Sequence, residues 1–148
     1  MPLRVVVCDD SKLVRALIVR MLKSEPRVEV IGEAGDGYEC LQRIMECKPD
    51  LVLLDLEMPK LDGVQCIAEA RQLGLTTPFL VISEHAATGE ARTQAALAAG
   101  AEGFLVRPTA LMQVERIQPE LLRRLHQFIA HHPTGDAIGA VESPQIRS

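Results

Sequence analysis

The chain has 148 residues, 47% hydrophobic and 24% charged, which suits one packed domain with a short extension and is too apolar for a disordered chain. Its formal net charge of −4 comes from mixed signs with no basic block, which weighs against nucleic acid as a direct partner. No segment reaches transmembrane length, and Met1-Pro2-Leu3-Arg4 leads into a strand without the charged start and apolar stretch of a signal peptide. The reading is a cytoplasmic protein with no membrane partner.

Leu3-Arg4-Val5-Val6-Val7-Cys8 is a short β-branched and aliphatic run, as expected of a buried parallel strand. Ser11 is the expected N-cap of the first helix, whose apolar stripe is Leu13, Leu17, Ile18, Met21 and Leu22 and which Pro26 closes. Val28, Val30 and Ile31 form a second strand, followed by Gly32 and a turn at Gly35-Asp36-Gly37. Leu41, Ile44 and Met45 mark a second helix that ends before Pro49, and Leu51 to Leu54 is the third strand. A loop with Met58-Pro59 and Asp62-Gly63 leads to a third helix carrying Val64, Ile67 and Ala68. Gly74 and Pro78 bracket its exit, and Phe79 to Ile82 is the fourth strand. Thr88 to Ala99 reads as an alanine-rich helix capped by Gly100, and Gly103 to Val106 as the fifth strand. Thr109 to Ile117 is expected to be partly irregular. Pro119 suits the start of a last helix from Gln118, with Leu121, Leu122, Leu125, Phe128 and Ile129 on its apolar face. From Pro133 on no useful period remains, so the expected division is a domain over 1–132 and a flexible tail over 133–148. Cys8, Cys40, Cys47 and Cys66 lack Cys-x-x-Cys or zinc-ligand spacing and read as reduced, packed thiols.

Alternating strands and helices predict an α/β fold with a five-stranded parallel sheet. In such sheets the crevice beyond the carboxyl ends of the strands binds ligands. Here those ends carry Asp9 and Asp10, then Asp55, Ser83 and Arg107. Asp9 alone reads equally well as a helix cap, but the set does not. Magnesium takes oxygen ligands and a few carboxylates, which Asp9, Asp10 and Asp55 would supply. A carboxylate is also a nucleophile able to form an acyl phosphate, and Asp55 is the central candidate. Phosphoryl transfer needs mainly positioning and charge neutralisation; with a metal on Asp10 and Asp55, Ser83 could donate to one phosphoryl oxygen and Arg107 could pair with another. Gly-x-x-x-x-Gly-Lys-Ser/Thr and Gly-x-Gly-x-x-Gly are both missing, which disfavours a nucleotide-binding protein.

Val-Val-Val-Cys-Asp-Asp-Ser, Leu-Val-Leu-Leu-Asp-Leu-Glu-Met-Pro-Lys-Leu-Asp-Gly, Val-Ile-Ser and Gly-Ala-Glu-Gly-Phe-Leu-Val-Arg-Pro, from about residue 3 to 108, resemble the receiver domain of two-component response regulators. The resemblance implies a doubly wound, flavodoxin-like sheet of order 2-1-3-4-5 with an extended C-terminal helix. It implies a histidine kinase as phosphodonor to Asp55, and magnesium held by Asp10, Asp55 and the backbone carbonyl of Glu57, with Asp9 helping through water. It implies Ser83 and Phe104 as switch residues. It also implies an output face, made by the last two helices and the fifth strand, that binds a downstream protein or effector domain. Asp10-Ser11, Glu25-Pro26, Val30-Ile31-Gly32-Glu33-Ala34 and Asp55-Leu56-Glu57-Met58-Pro59 look most like the receiver of chemotaxis methylesterases.

One position departs from the pattern: receivers ordinarily carry lysine where Arg107 stands. Guanidinium is planar and forked where ammonium is compact, so Arg107 either stays out of the pocket and uncouples the switch, or enters and still binds phosphate. Intact Asp9, Asp10, Asp55 and Ser83 favour the second. Glu57 and His85, each two residues past Asp55 and Ser83, sit near the expected pocket mouth, although His85 reads more readily as an exposed loop residue; His131-His132 reads as a solvated helix end. The stretch after Ile117 is too short for a methylesterase domain and no Gly-x-Ser-x-Gly elbow is present. The expectation is therefore a phosphorylation-controlled switch, not an enzyme. Two alternatives stand beside it: an isolated regulatory fragment of a larger effector enzyme, and a pseudo-receiver that binds partners without phosphorylation.

Overall fold

The computed structural model describes residues 1–84 and 90–131. Five strands, β1 (Leu3–Cys8), β2 (Val28–Ala34), β3 (Leu51–Leu54), β4 (Phe79–Ser83) and β5 (Gly103–Val106), form one sheet in the order β2-β1-β3-β4-β5. All neighbouring pairs are parallel. The helices are α1 (Lys12–Lys23), α2 (Gly37–Cys47), α3 (Gly63–Gln72), α4 (Ala91–Ala99) and α5 (Gln118–His131). The expected α/β, doubly wound architecture and its strand order are what the chain forms.

Side chains alternate across the sheet, so each strand feeds two cores. Val5, Val7, Leu51, Leu53 and Ile82 pack with Val14 and Ile18 of α1 and Leu121 and Leu125 of α5. Val6, Cys8, Val52, Leu54 and Val81 pack against α2, α3 and α4. Because both faces are covered, β3 is buried along its whole length, which is why it reads as an unbroken apolar run. Register aligns the strand ends: Cys8 lies beside Ala34 and Leu54, and Leu54 beside Val81. The β1–β2 ladder shifts between Val5 and Val6, where the partner steps from Val30 to Gly32.

Three helix starts are capped by side chains. Ser11 Oγ accepts from Val14 N at 3.2 Å, as expected from sequence, and Asp36 Oδ1 accepts from Glu39 N at 2.9 Å. Asp62 and Gln65 exchange bonds of 2.8 and 3.0 Å in a capping box. Such caps contribute ~1 kcal/mol each. Asp36 and Asp62, expected only as turn residues, thus start the helices after those turns. The helix α3 begins so close to the end of β3 that a Cβ on Gly63 would lie 2.5 Å from the Asp55 carbonyl oxygen. Only glycine fits there.

Other expectations shift. Leu13 is 63% exposed and Val14 is buried in its place, since α1 buries Val14, Ile18, Met21 and Leu22. Met45 likewise faces outward, while Cys40, Leu41 and Ile44 carry the inner face of α2. The helix expected from Thr88 begins at Ala91 within the described residues. The segment expected to be irregular contains a 3-10 helix, Leu111–Ile117, because Val114 and Ile117, three apart, meet the core on one side of it. His85, His132 and the tail over 133–148, with the domain boundary at 132, lie outside the described residues.

Candidate functional site

Main-chain bonds continue past the strands and hold the polar residues side by side. Asp9 N donates to Ala34 O (3.0 Å), Asp55 N to Cys8 O (2.9 Å) and Arg107 N to Ser83 O (3.2 Å). Carboxylate oxygens of Asp9, Asp10 and Asp55 consequently lie within 4.8 Å of one another. Asp9 and Asp55 are buried, at 1% and 3% exposure, whereas Asp10 is exposed to solvent.

Two buried carboxylates at this spacing repel, and water cannot screen them. Asp9 is pushed up to about 7, by burial first and then by the charge of Asp55. Asp55 is also raised, by burial, although a hydrogen bond from the Ser83 hydroxyl and one from Glu57 N (3.3 Å to Oδ1) work the other way. Oδ1 of Asp9 accepts from Ser11 N at 2.9 Å, but its Oδ2 is buried with no hydrogen-bond partner. An orphaned buried oxygen costs ~1–3 kcal/mol, more when charged. An all-oxygen cluster with an unused lone-pair site fits a hard divalent cation such as magnesium.

The Arg107 side chain lies inside the site. It is 8% exposed, with Nη2 4.0 Å from Asp9 Oδ2 and Nη1 donating to Pro108 O at 3.2 Å. Its Nε is buried with no hydrogen-bond partner, so the fork retains a donor within the pocket. Guanidinium therefore fits where the exclusion reading of Arg107 would keep it out. Ser83 is fully buried at the end of β4, and Phe104 of β5 is half-buried against the core on the α2–α4 side. Glu57 has its peptide beside Asp55 and its side chain paired with Arg92 of α4.

Two contributors escaped the sequence. Arg15 donates to the Asp9 carbonyl oxygen at 2.6 Å and bridges to Glu33 at 3.1 Å, holding the end of β1. Arg92 reaches Glu57 across 35 positions of sequence. Neither pairing has a local signal: each joins two elements that only the sheet order makes neighbours. Cys8, Cys40 and Cys66 are buried free thiols packed in the core, and Cys66 is raised by its hydrogen bond with Cys40 and by burial.

The response regulator receiver domain family matches residues 5–117. Protein-glutamate methylesterase/protein-glutamine glutaminase 2 of Koribacter versatilis is 37% identical over 149 aligned positions, covering 99% of this chain and 41% of that protein. Among solved structures, the response regulator domain of Thermotoga maritima CheB is 31% identical with a TM-score of 0.83, covering 90% of this chain and 100% of that one. The signal receiver domain of the putative response regulator NarL from Mycobacterium tuberculosis is 38% identical with a TM-score of 0.67, covering 82% and 97%. These relatives correct the expectation of a non-enzyme, because the curated ones carry an enzyme's name. The chain spans 41%, 36% and 42% of the length of three of them, and that stretch is the one matching the receiver family. An activity named for the whole protein was therefore not legible in this part of it. No helix among the described residues is long and apolar enough to cross a membrane.

Proposed function

The chain belongs to the response regulator receiver domain family, and on that premise we propose that it is a phospho-accepting switch whose acceptor is Asp55. The observation carrying this reading is the convergence of three carboxylates, a buried hydroxyl and a buried guanidinium at one sheet edge. A carboxylate oxygen of Asp55 attacks the phosphorus of a phosphohistidine on a histidine kinase. The new P–O bond forms as the P–N bond breaks, and the departing imidazole nitrogen keeps the electron pair. Asp9, Asp10, Asp55 and the backbone carbonyl of Glu57 would hold Mg2+, whose chemistry here is to keep the carboxylates ionised and offset the phosphoryl charge. The Ser83 hydroxyl exchanges its bond to Asp55 for one to a phosphoryl oxygen, and Arg107 pairs with another through its unused donor.

That exchange moves the ends of β4 and β5, and Phe104 moves with them. The output is a shift in partner affinity at the face of α4, β5 and α5. Exposed Val106 (48%) on β5, which lines a cleft with Phe104 of β5 and Glu120 and Arg124 of α5, supports that face as a docking surface. The partial span of the methylesterase relatives supports a regulatory part of such an enzyme, acting in cytoplasmic, chemotaxis-type signalling. The test is intact-mass spectrometry after incubation with acetyl phosphate and Mg2+. The expected result is one added phosphoryl group, abolished by Asp55→Ala; no gain in the folded wild type would refute the reading.

A further inference from the structure

Arg92, the second residue of α4, hydrogen-bonds through Nη1 to Oε2 of Glu57 in the loop after β3. Both side chains are about half exposed, at 52% and 46%. They border a cleft that Asp10, Met58 and Asp62 also line, and that opens beside the carboxylate cluster. Arg92 thus holds a cation at the outer rim, as Arg107 does at the inner wall.

A phosphoryl donor is an anion, and among the described residues the charged groups lining that cleft besides Arg92 are Asp10, Glu57 and Asp62. Like charges slow its approach, and one well-placed cation speeds it. Guanidinium binds phosphate oxygens with the same fork it offers a carboxylate. The Glu57 carboxylate therefore sits on Arg92 where an oxyanion of an incoming donor would sit. An ion pair this exposed contributes little and opens readily.

We propose that Arg92 is the receiving residue for anionic phosphodonors, and that Glu57 masks it: a donor such as an acyl phosphate displaces the Glu57 carboxylate from Arg92 on its way to Asp55. The inference rests on Asp55 being the phosphoacceptor. Arg92 takes no part in bond making; it raises the rate of productive encounter and discriminates donors by charge. Glu57 has the opposite effect through its side chain, independently of its backbone carbonyl.

The test is a time course of phosphoryl gain by intact mass, in Mg2+, for the wild type, Arg92→Gln and Glu57→Gln. Acetyl phosphate serves as the more highly charged donor and phosphoramidate as the less charged one, each at low and high salt. With acetyl phosphate, Arg92→Gln is expected to slow the second-order rate by about threefold to tenfold and to flatten its salt dependence. Glu57→Gln is expected to speed it by about twofold to fivefold. Phosphoramidate rates move less in both variants, which a merely disturbed loop would not produce. Unchanged acetyl phosphate rates, or equal changes with both donors, overturn the role of Arg92 while leaving Asp55 as acceptor. Absence of any gain in the wild type overturns both readings together.

Discussion

Acidic residues meet opposite fates in two regions of this molecule. Around α1 and the C-terminal segment, three acids have side-chain partners near solvent: Arg20 with Glu115 and His126 with Glu25 across the seam, and Arg123 and Arg124 with Glu120 within α5. Gln118 completes the seam with bonds of 3.2 and 3.1 Å to Met21 O and Ser24 Oγ. Glu25 is lowered by its hydrogen bond with His126, and Glu120 by its bonds with Arg123 and Arg124. At the carboxyl edge of the sheet the same chemistry is clustered, buried and short of partners, and Asp9 and Asp55 are raised. The seam is arranged to be stable as it stands. The edge is arranged to be stable only when something positive arrives, which is how a ligand site stores its demand for a ligand.

The sharpest way to break this contrast is to remove apolar burial beneath the seam. Leu121 is fully buried, and Leu121→Ala is expected to cost ~2–5 kcal/mol in urea unfolding. If the seam's ion pairs carried its stability instead, the loss would be far smaller.

At the site the effect has the other sign. With a folded pKa of about 7 against 3.8, Asp9 binds its proton more tightly in the native state. Its contribution is fully present below about pH 3.8 and is lost as pH rises through about 7. In EDTA the wild type should be less stable at pH 8 than at pH 5.5, and Asp9→Asn should flatten that slope and gain ~1–3 kcal/mol at pH 8. An equal slope in both proteins would refute the account. Glu25 is depressed, so its contribution is present above its ordinary carboxylate range and fades as pH falls below it. Asp9→Asn should leave that acid limb untouched.

Adding Mg2+ at ten times its dissociation constant should stabilise the wild type by ~1.4 kcal/mol, a rise of about 3–5 °C in Tm. EDTA should reverse the rise and Asp55→Asn should diminish it, both read by thermal melts. Smallest of all, Arg20→Gln should change urea stability by less than ~0.5 kcal/mol, since both partners of that pair are well exposed.

The fold and the inner site were legible for a common reason. A buried strand is apolar along its length, so a polar residue at its carboxyl end announces the edge of the core; Asp9, Asp55 and Arg107 directly follow a strand, and Ser83 is the last residue of one. Positions on amphipathic helices were less legible, because Leu13 and Val14 are both apolar and only the packing against the sheet selects Val14. Turn residues misled in a particular way: Asp36 and Asp62 look like loop punctuation until the next helix is seen to begin on them.

By itself, then, the sequence determined what is encoded over a few neighbouring residues: which runs become strands, which polar residues end them, and the motif order that resembles a receiver. Tertiary structure alone decided what depends on juxtaposing distant segments. Burial at the strand ends raised both Asp9 and Asp55, register set Asp55 close enough for its charge to raise Asp9 further, the β5 end turned Arg107 inward, and the packing of α4 beside the β3 loop placed Arg92 on Glu57. Charge interactions fall off over a few ångströms, so no spacing along the chain reports them until the fold has brought the partners together.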